Sequence, residues 1–212
     1  MLKKYKQYLN KDCSFDKSTM LGILCLIIAI SGVFGFLYEV IFYYFNSGMK
    51  EIYWRGGNFL PWINIYAIGA IIIFFLTYKI RKKPLFVFLI GLISSGILEY
   101  IAGWGVDNFG NGIKCWDYNQ EILNIGNING YVCLRSVLFF GISSLLLIYI
   151  IVPVCFYLAK KLNKKKFLIF SYTLCTIILF DEVYNLLFAR ILNLPRASAI
   201  YKSIGFNYQY FR

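Results

Sequence analysis

The sequence predicts an all-α integral membrane protein, a bundle of about five transmembrane helices, and three observations predict it. Of 212 residues, 59% are hydrophobic and 15% charged, against about 45–50% apolar and about 25% charged in a soluble domain. The apolar residues fall in unbroken runs, and a helix needs roughly 20 of them to span a bilayer. The 22 Lys and Arg cluster between those runs, as loops beside an anionic cytoplasmic leaflet do. Alternating barrel strands would break runs of this length. The net charge of +12 therefore points to the lipid bilayer as partner and not to nucleic acid. Soluble enzymes and disordered tails are excluded on the same grounds.

Residues 1–18 form a basic cytoplasmic segment carrying Lys3, Lys4, Lys6, Lys11 and Lys17. Residues 19–192 form the helical bundle. Its first helix covers about Thr19 to Phe45, far longer than the roughly 7–15 residues of a signal-peptide core, and no small-x-small cleavage site follows, so it is retained. The stretch from Trp54 to Trp62 (WRGGNFLPW) enters the second helix through glycine and proline, which suits a re-entrant-like turn. Backbone of that kind is tolerated at membrane depth only when buried in protein or lining a cavity. The second helix covers about Trp62 to Tyr78, the third Pro84 to Trp104, the fourth Tyr131 to Ala159 and the fifth Phe167 to Leu192. Lys79, Arg81, Lys82 and Lys83 follow the second, and Lys160, Lys161, Lys164, Lys165 and Lys166 follow the fourth. Both clusters fall on the side of the basic N-terminal segment, so the N-terminus is cytoplasmic and the chain is a multi-pass protein of the cell membrane. Ser31 with Gly35, and Gly91 with Ser95, are small-xxx-small pairs that let helices approach closely. Residues 193–212 are rich in Tyr and Phe and read as an aromatic interfacial segment; a lid folded over the helices is the alternative.

Charged groups inside the spans cost at least about 2.5–3.5 kcal/mol each at the bilayer centre. Glu39, Glu99, Arg135, Asp181 and Glu182 all fall in the outer half of the membrane, and none falls in the inner half. Outer loops add Arg55, Asp107, Asp117 and Glu121. A polar chamber open to the outside satisfies these groups, and its excess of carboxylates suits a cation or an amine-bearing solute. The alternative is that Arg55 and Arg135 neutralise Glu39 and Glu99 as structural pairs. Asp181 and Asn185, four residues apart, share one helix face. Trp116 and Tyr118 suit interface anchors, and Asn127 or Asn129 suits a helix cap. Cys115 and Cys133 both fall near the outer face, where a disulfide is chemically permitted. Histidine is absent and the six cysteines form no CxxC pair, so no metal site is expected. No catalytic motif assigns a catalytic residue or a cofactor.

Arg55-Gly56, Pro61-Trp62, Ile65-Tyr66 and Gly69-Ala70 resemble the pattern RGxxxxPWxxIYxxGA of the putative ABC-transporter type IV family, the CmpB-like membrane proteins. Further blocks agree in order: Gly35 to Glu39 (GFLYE), Leu98 to Trp104 (LEYIAGW), and Trp116-Asp117-Tyr118 leading through Asn127 and Gly130 to Cys133-Leu134. The resemblance runs from about Gly32 to Pro153. It implies a multi-pass bacterial membrane protein of the permease type, and it implies that Glu39, Arg55, Tyr66, Glu99, Trp116, Asp117 and Asn127 occupy family-defining positions. With Arg135 and Asp181 these make up the candidate substrate-binding set. The chain departs from the pattern where a second proline and a glycine are expected, carrying Asn64 and Ala67 instead.

A transport component is therefore the leading expectation. The chain has no GxxxxGK[ST] phosphate loop, so ATP hydrolysis would come from a separate ATPase subunit docked on the basic inner loops. Five helices are few for one half of a transporter, so a homo-oligomer or larger complex is expected. One alternative is a membrane enzyme acting on a lipid or envelope precursor through paired carboxylates, one protonated as acid and one ionised as base. Another is a non-catalytic assembly partner.

Overall fold

The computed structural model describes residues 8, 13–50, 52–109 and 116–206. It is built of α1 (Lys17–Asn46), α2 (Asn64–Ile80), α3 (Pro84–Phe109), α4 (Leu134–Lys161), α5 (Lys164–Phe188) and α6 (Ala197–Ser203). Among the described residues there is no strand, and one isolated antiparallel bridge joins Ile128 to Val132. Four helices, α1, α3, α4 and α5, are long and apolar enough to cross a membrane; α2 is a shorter apolar helix. The helix starts lie within about three residues of those expected. The largest difference is at the far end of the third span, which continues five residues past Trp104 to Phe109; at the far end of the fifth, Tyr184–Phe188 winds as a π turn and a short helical turn follows to Ile191.

Local chemistry sets these boundaries. Asp16 takes an extended conformation ahead of α1 and accepts the Thr19 backbone N–H at 3.2 Å, filling one of the donors a helix start leaves open. Asn163 caps α5 likewise, accepting from Lys165 N at 2.9 Å. A second π turn, Leu147–Ile151, interrupts α4 just before Pro153. Proline has no N–H and crowds the preceding turn, and a local π turn absorbs the misfit. The Ile148 carbonyl is left for a side chain and accepts the Tyr8 hydroxyl at 2.7 Å.

The described residues fall into two compact units. One contains residues 16–68 and 158–206, the other residues 8, 13–15 and 69–157; the divisions fall inside α2 after Ile68 and inside α4 after Tyr157. In the first, the α1/α5 unit, the two long helices run parallel. Lys164 at the start of α5 pairs with Asp16 at 3.1 Å, and the Tyr172 hydroxyl donates to Ser18 O at 2.9 Å. One turn on, Gly22 packs beneath Phe167 and Ser171, and further along Trp62 packs with Ala29, Ala67 and Ile178. Gly32 receives the Trp62 indole and Gly35 the Tyr66 ring, each so closely that a Cβ would overlap it. Small residues thus let backbones approach where lipid gives helices no hydrophobic drive to associate.

In the second, the α3/α4 unit, the long helices run antiparallel. Gly103 lies against Tyr131, Gly96 against Val137 and Gly91 against Ser144. The Ser144 hydroxyl lies 3.1 Å from Val87 O. At the end of this unit opposite Tyr131, Arg81 is buried, with its Nε donating to Tyr8 O at 3.0 Å and its guanidinium 4.2 Å from the Tyr78 ring centre.

Candidate functional site

Each unit holds its own polar cluster. In the α1/α5 unit the cluster grows from the loop ahead of α2. Gly56 and Gly57 take φ of 90° and 74°, a region open to glycine at little cost, and turn the chain back so that Arg55 and Asn58 are both buried. Arg55 Nε donates to Glu39 Oε2 at 2.8 Å, and its guanidinium stacks 4.2 Å from the Tyr43 ring centre. The Tyr66 hydroxyl donates to the other Glu39 oxygen at 3.1 Å. Glu39, Arg55 and Tyr66, three of the nine candidate residues, are therefore joined in one hydrogen-bonded group.

Asp181 lies on the same loop from the other side. Its Oδ1 accepts the Phe59 N–H at 2.9 Å and its Oδ2 the Leu60 N–H at 2.7 Å, while Asn185 Nδ2 donates to Oδ1 at 2.8 Å. Glu182 accepts Asn58 Nδ2 at 2.7 Å and Asn64 Nδ2 at 2.6 Å. Two adjacent carboxylates of α5 thus hold the loop through charge-assisted bonds, about twice as strong as neutral ones. The side chain of Asn64, the first residue of α2, is one of these donors.

The C-terminal segment packs on the same loop. The Ala197 N–H donates to Asn185 Oδ1 at 2.9 Å, and the Tyr201 hydroxyl of α6 donates to Phe59 O at 2.7 Å. The Tyr201 ring lies 5.6 Å from Trp54 and 5.8 Å from Phe59. The aromatic residues of this segment up to Phe206 therefore have protein partners; residues 207–212 lie outside the described residues, as do 1–7 and 9–12 of the basic N-terminal segment.

In the α3/α4 unit, Glu99 is buried and accepts two hydroxyls, Tyr118 on Oε1 at 2.6 Å and Ser136 on Oε2 at 2.7 Å. Burial, then the Glu99 and Glu121 charges, pushes the Tyr118 phenol well above its ordinary range. Arg135 donates to Glu121 at 2.5 Å and lies 5.3 Å from the Tyr118 ring centre. Trp116 Nε1 donates to Tyr131 O at 3.0 Å. Asp117 accepts from Asn119 N at 3.0 Å and from its side chain at 2.8 Å, and Asn127 donates to Asn119 Oδ1 at 2.6 Å while accepting Gly130 N at 2.9 Å. Trp116, Asp117 and Asn127 thus shape the loop that brings Tyr118 onto Glu99. Tyr131 donates to Asp107 at 2.6 Å, and that bond pushes its phenol up to about 12. Cys133 is a buried free thiol; Cys115 lies outside the described residues.

Sequence reading missed the partners more than the charges. Asn58, Asn64, Tyr118, Ser136 and Tyr201 are ordinary residue types, and spacing carries no sign of bonds such as Asn58 to Glu182, 124 residues apart. The one available signal was Asn64, a polar residue at the head of an apolar helix.

Among curated proteins and among solved structures, nothing matches the chain. The family described as "Putative ABC-transporter type IV" matches residues 26–186, a stretch that contains every candidate residue described above. The chain belongs to that family.

Proposed function

We propose that this is the membrane component of a transporter in a bacterial cytoplasmic membrane, of the permease type, with ATP hydrolysis supplied by a separate subunit docked on the basic inner loops. The observation that carries this reading is the family match over residues 26–186. Because one copy offers few helices, the working unit is a homo-oligomer or a larger complex.

The reading includes five membrane crossings. Two helices that enter a bilayer from the same side are separated by an odd number of crossings, and α1 and α5 run parallel. The helices α3 and α4 supply two, so α2 supplies the third. Its 17 residues reach roughly 26 Å, short of a hydrocarbon core of roughly 30 Å. Asn64 begins α2 at the level of Glu182, itself roughly 27 Å along α5 from Lys164. A helix starting at that depth needs no further length. Lysine-rich inner loops support a cytoplasmic N-terminus.

Within this reading, Glu39, Arg55 and Tyr66 form the solute site, and Asp181 and Glu182 position the loop that carries Arg55. Glu99, Trp116, Asp117, Asn127 and Arg135 serve the outer end of the α3/α4 unit. Arg55 holds one Glu39 oxygen and the Tyr66 hydroxyl the other, so a cationic or amine-bearing solute takes this site by displacing one of those partners. Purification of the tagged protein from its host in mild detergent, with mass spectrometry of what is retained, tests the assignment. Stoichiometric recovery of a nucleotide-binding ATPase is the expected result; recovery of the chain alone, or with only its own copies, overturns the ATPase-coupled reading. Glu39→Gln should abolish uptake of the solute in cells while the protein still inserts. Full complementation by that variant would remove Glu39 from the solute site.

A further inference from the structure

The face of α5 turned away from α1 carries a feature the transport reading does not use. Phe167, Ser171 and Ile178 meet α1 or its partners. At 100° per residue, Ile169, Thr173, Thr176 and Phe180 lie roughly 180° round from them. A groove of about 940 Å³ runs along that face. It is open to the outside of the protein and lined by Ile169, Thr173, Thr176 and Phe180 among others, the two threonines being the short side chains between the other two, and Lys164 and Lys165 line its mouth at the start of α5. From Lys165 to Phe180 it runs roughly 22 Å, more than the roughly 15 Å of one leaflet's share of the hydrocarbon core. The helix behind it is held in place by Tyr172 bonding Ser18. Only 22% of the most apolar stretch of α5 is buried within the protein, against 56% for α1.

We infer that this groove binds one anionic phospholipid of the cytoplasmic leaflet, with its phosphate against Lys165 and Lys164 and one acyl chain lying along Ile169, Thr173, Thr176 and Phe180. Charge complementarity chooses the occupant. The mouth is basic, it adjoins the start of a 20-residue α-helical stretch whose open N–H groups favour an anion, and the leaflet at that level is the anionic one. Lys164 already faces Asp16, but that pair is exposed on both sides, so it leaves the lysine open to a phosphate at little cost. A second copy of the chain is the poorer occupant, because matching faces would bring two clusters of Lys160, Lys161, Lys164, Lys165 and Lys166 together. The choice of leaflet rests on the topology proposed above; binding of the lipid by the groove does not.

The test uses the full chain, delipidated in mild detergent and supplied with phosphatidylglycerol or phosphatidylcholine of identical acyl chains, with bound lipid counted by native mass spectrometry. Phosphatidylglycerol should be retained at one per chain and about tenfold above phosphatidylcholine, a difference of about 1.4 kcal/mol. Lys164→Gln with Lys165→Gln should bring it down to the phosphatidylcholine level. Thr173→Phe with Thr176→Phe, which fills the hollow and leaves the lysines in place, should also expel it. Both double variants alter exposed positions, so their unfolding temperatures should match the parent. Equal retention of the two lipids overturns the inference, as does undiminished phosphatidylglycerol binding by the filled groove. Recovery of a dimer that the threonine variant dissociates would assign the face to a second copy instead.

Discussion

In the α1/α5 unit, Asp181 and Glu182 accept their hydrogen bonds from nitrogen: the backbone N–H groups of Phe59 and Leu60 and the side-chain amides of Asn185, Asn58 and Asn64. In the α3/α4 unit, Glu99 accepts from oxygen, through Tyr118 and Ser136. The distinction matters because an amide N–H can only donate, whereas a hydroxyl both donates and accepts and rotates to suit. The backbone N–H groups of Phe59 and Leu60 cannot reverse, so Asp181 can only accept from the loop ahead of α2. Glu99 has partners that can turn round to meet a neutral group. One unit uses a buried acid, Asp181, as a fixed anchor, with the half-buried Glu182 beside it; the other keeps an acid whose surroundings can adapt.

The largest expected effect breaks that comparison directly. Asp181→Asn turns an NH2 group toward donors that cannot reverse, leaving at least one buried N–H without an acceptor. The cost is about 1–3 kcal/mol for each unsatisfied group, with the charge-assisted bonds lost besides. A total of about 3 kcal/mol, or failure to accumulate folded protein, is expected. Glu99→Gln also loses the charge on its two bonds, but it keeps one acceptor oxygen and its NH2 can donate to a hydroxyl that rotates, so no partner is left unsatisfied and a smaller loss, about 1.5 kcal/mol, is expected. Thermal unfolding in detergent, followed by tryptophan fluorescence, measures both. Equal losses in the two variants would mean that the donor type does not govern the response.

Removing single hydroxyls sharpens the same contrast. Tyr118→Phe deletes a 2.6 Å bond to a buried carboxylate and should cost about 1.5–3 kcal/mol, the range for a hydrogen bond to a charged group. Tyr66→Phe deletes a longer bond, 3.1 Å, to Glu39, which keeps Arg55 at 2.8 Å; under about 1 kcal/mol is expected. Solute uptake should respond in the opposite order, because Tyr66 belongs to the proposed solute site and Tyr118 does not. If uptake falls further in Tyr118→Phe than its lost stability accounts for, the solute site extends to the α3/α4 unit.

The parts of this architecture legible in the sequence are those that hydropathy and helix periodicity record. Apolar runs placed the long helices, and the cost of charge in lipid singled out Glu39, Glu99 and Asp181. That Arg55 would pair with Glu39 was one of two readings left open, because opposite charges attract wherever the fold brings them near, and only the fold decides which. What hydropathy could not carry was the reason for a short α2. It starts at Asn64 beside Glu182, and that start depends on Asn58 and Asn64 meeting a residue more than a hundred positions away. The C-terminal segment was equally ambiguous, since an aromatic stretch with basic neighbours suits an interface and a protein surface alike. Ala197 bonding Asn185 and Tyr201 bonding Phe59 are tertiary facts with no period. The π turn before Pro153 was foreseeable in principle from the proline, whereas that at Tyr184–Phe188 has no such mark.

The smallest expected effects are at the two ends of the pH scale and fall on different units. Asp16, exposed at the start of α1, has its carboxyl held well below the usual range by Ser18 first, then Thr19 and Lys164. Its contribution to the α1/α5 unit is therefore present above the unfolded value of about 4 and lost as pH falls below it. Tyr131 in the α3/α4 unit has its phenol pushed up to about 12 by its bond to Asp107. Its contribution is present below the unfolded value of about 10 and lost as pH rises toward 12. Variants retaining only Trp54 and Trp62, or only Trp116, report the units separately. Unfolding temperatures should then show an acid slope in the first that Asp16→Asn flattens and an alkaline slope in the second that Tyr131→Phe flattens. Both slopes appearing together in each reporter would mean that the units unfold as one, and the contrast between their carboxylates would then have to be read from hydrogen exchange at neutral pH.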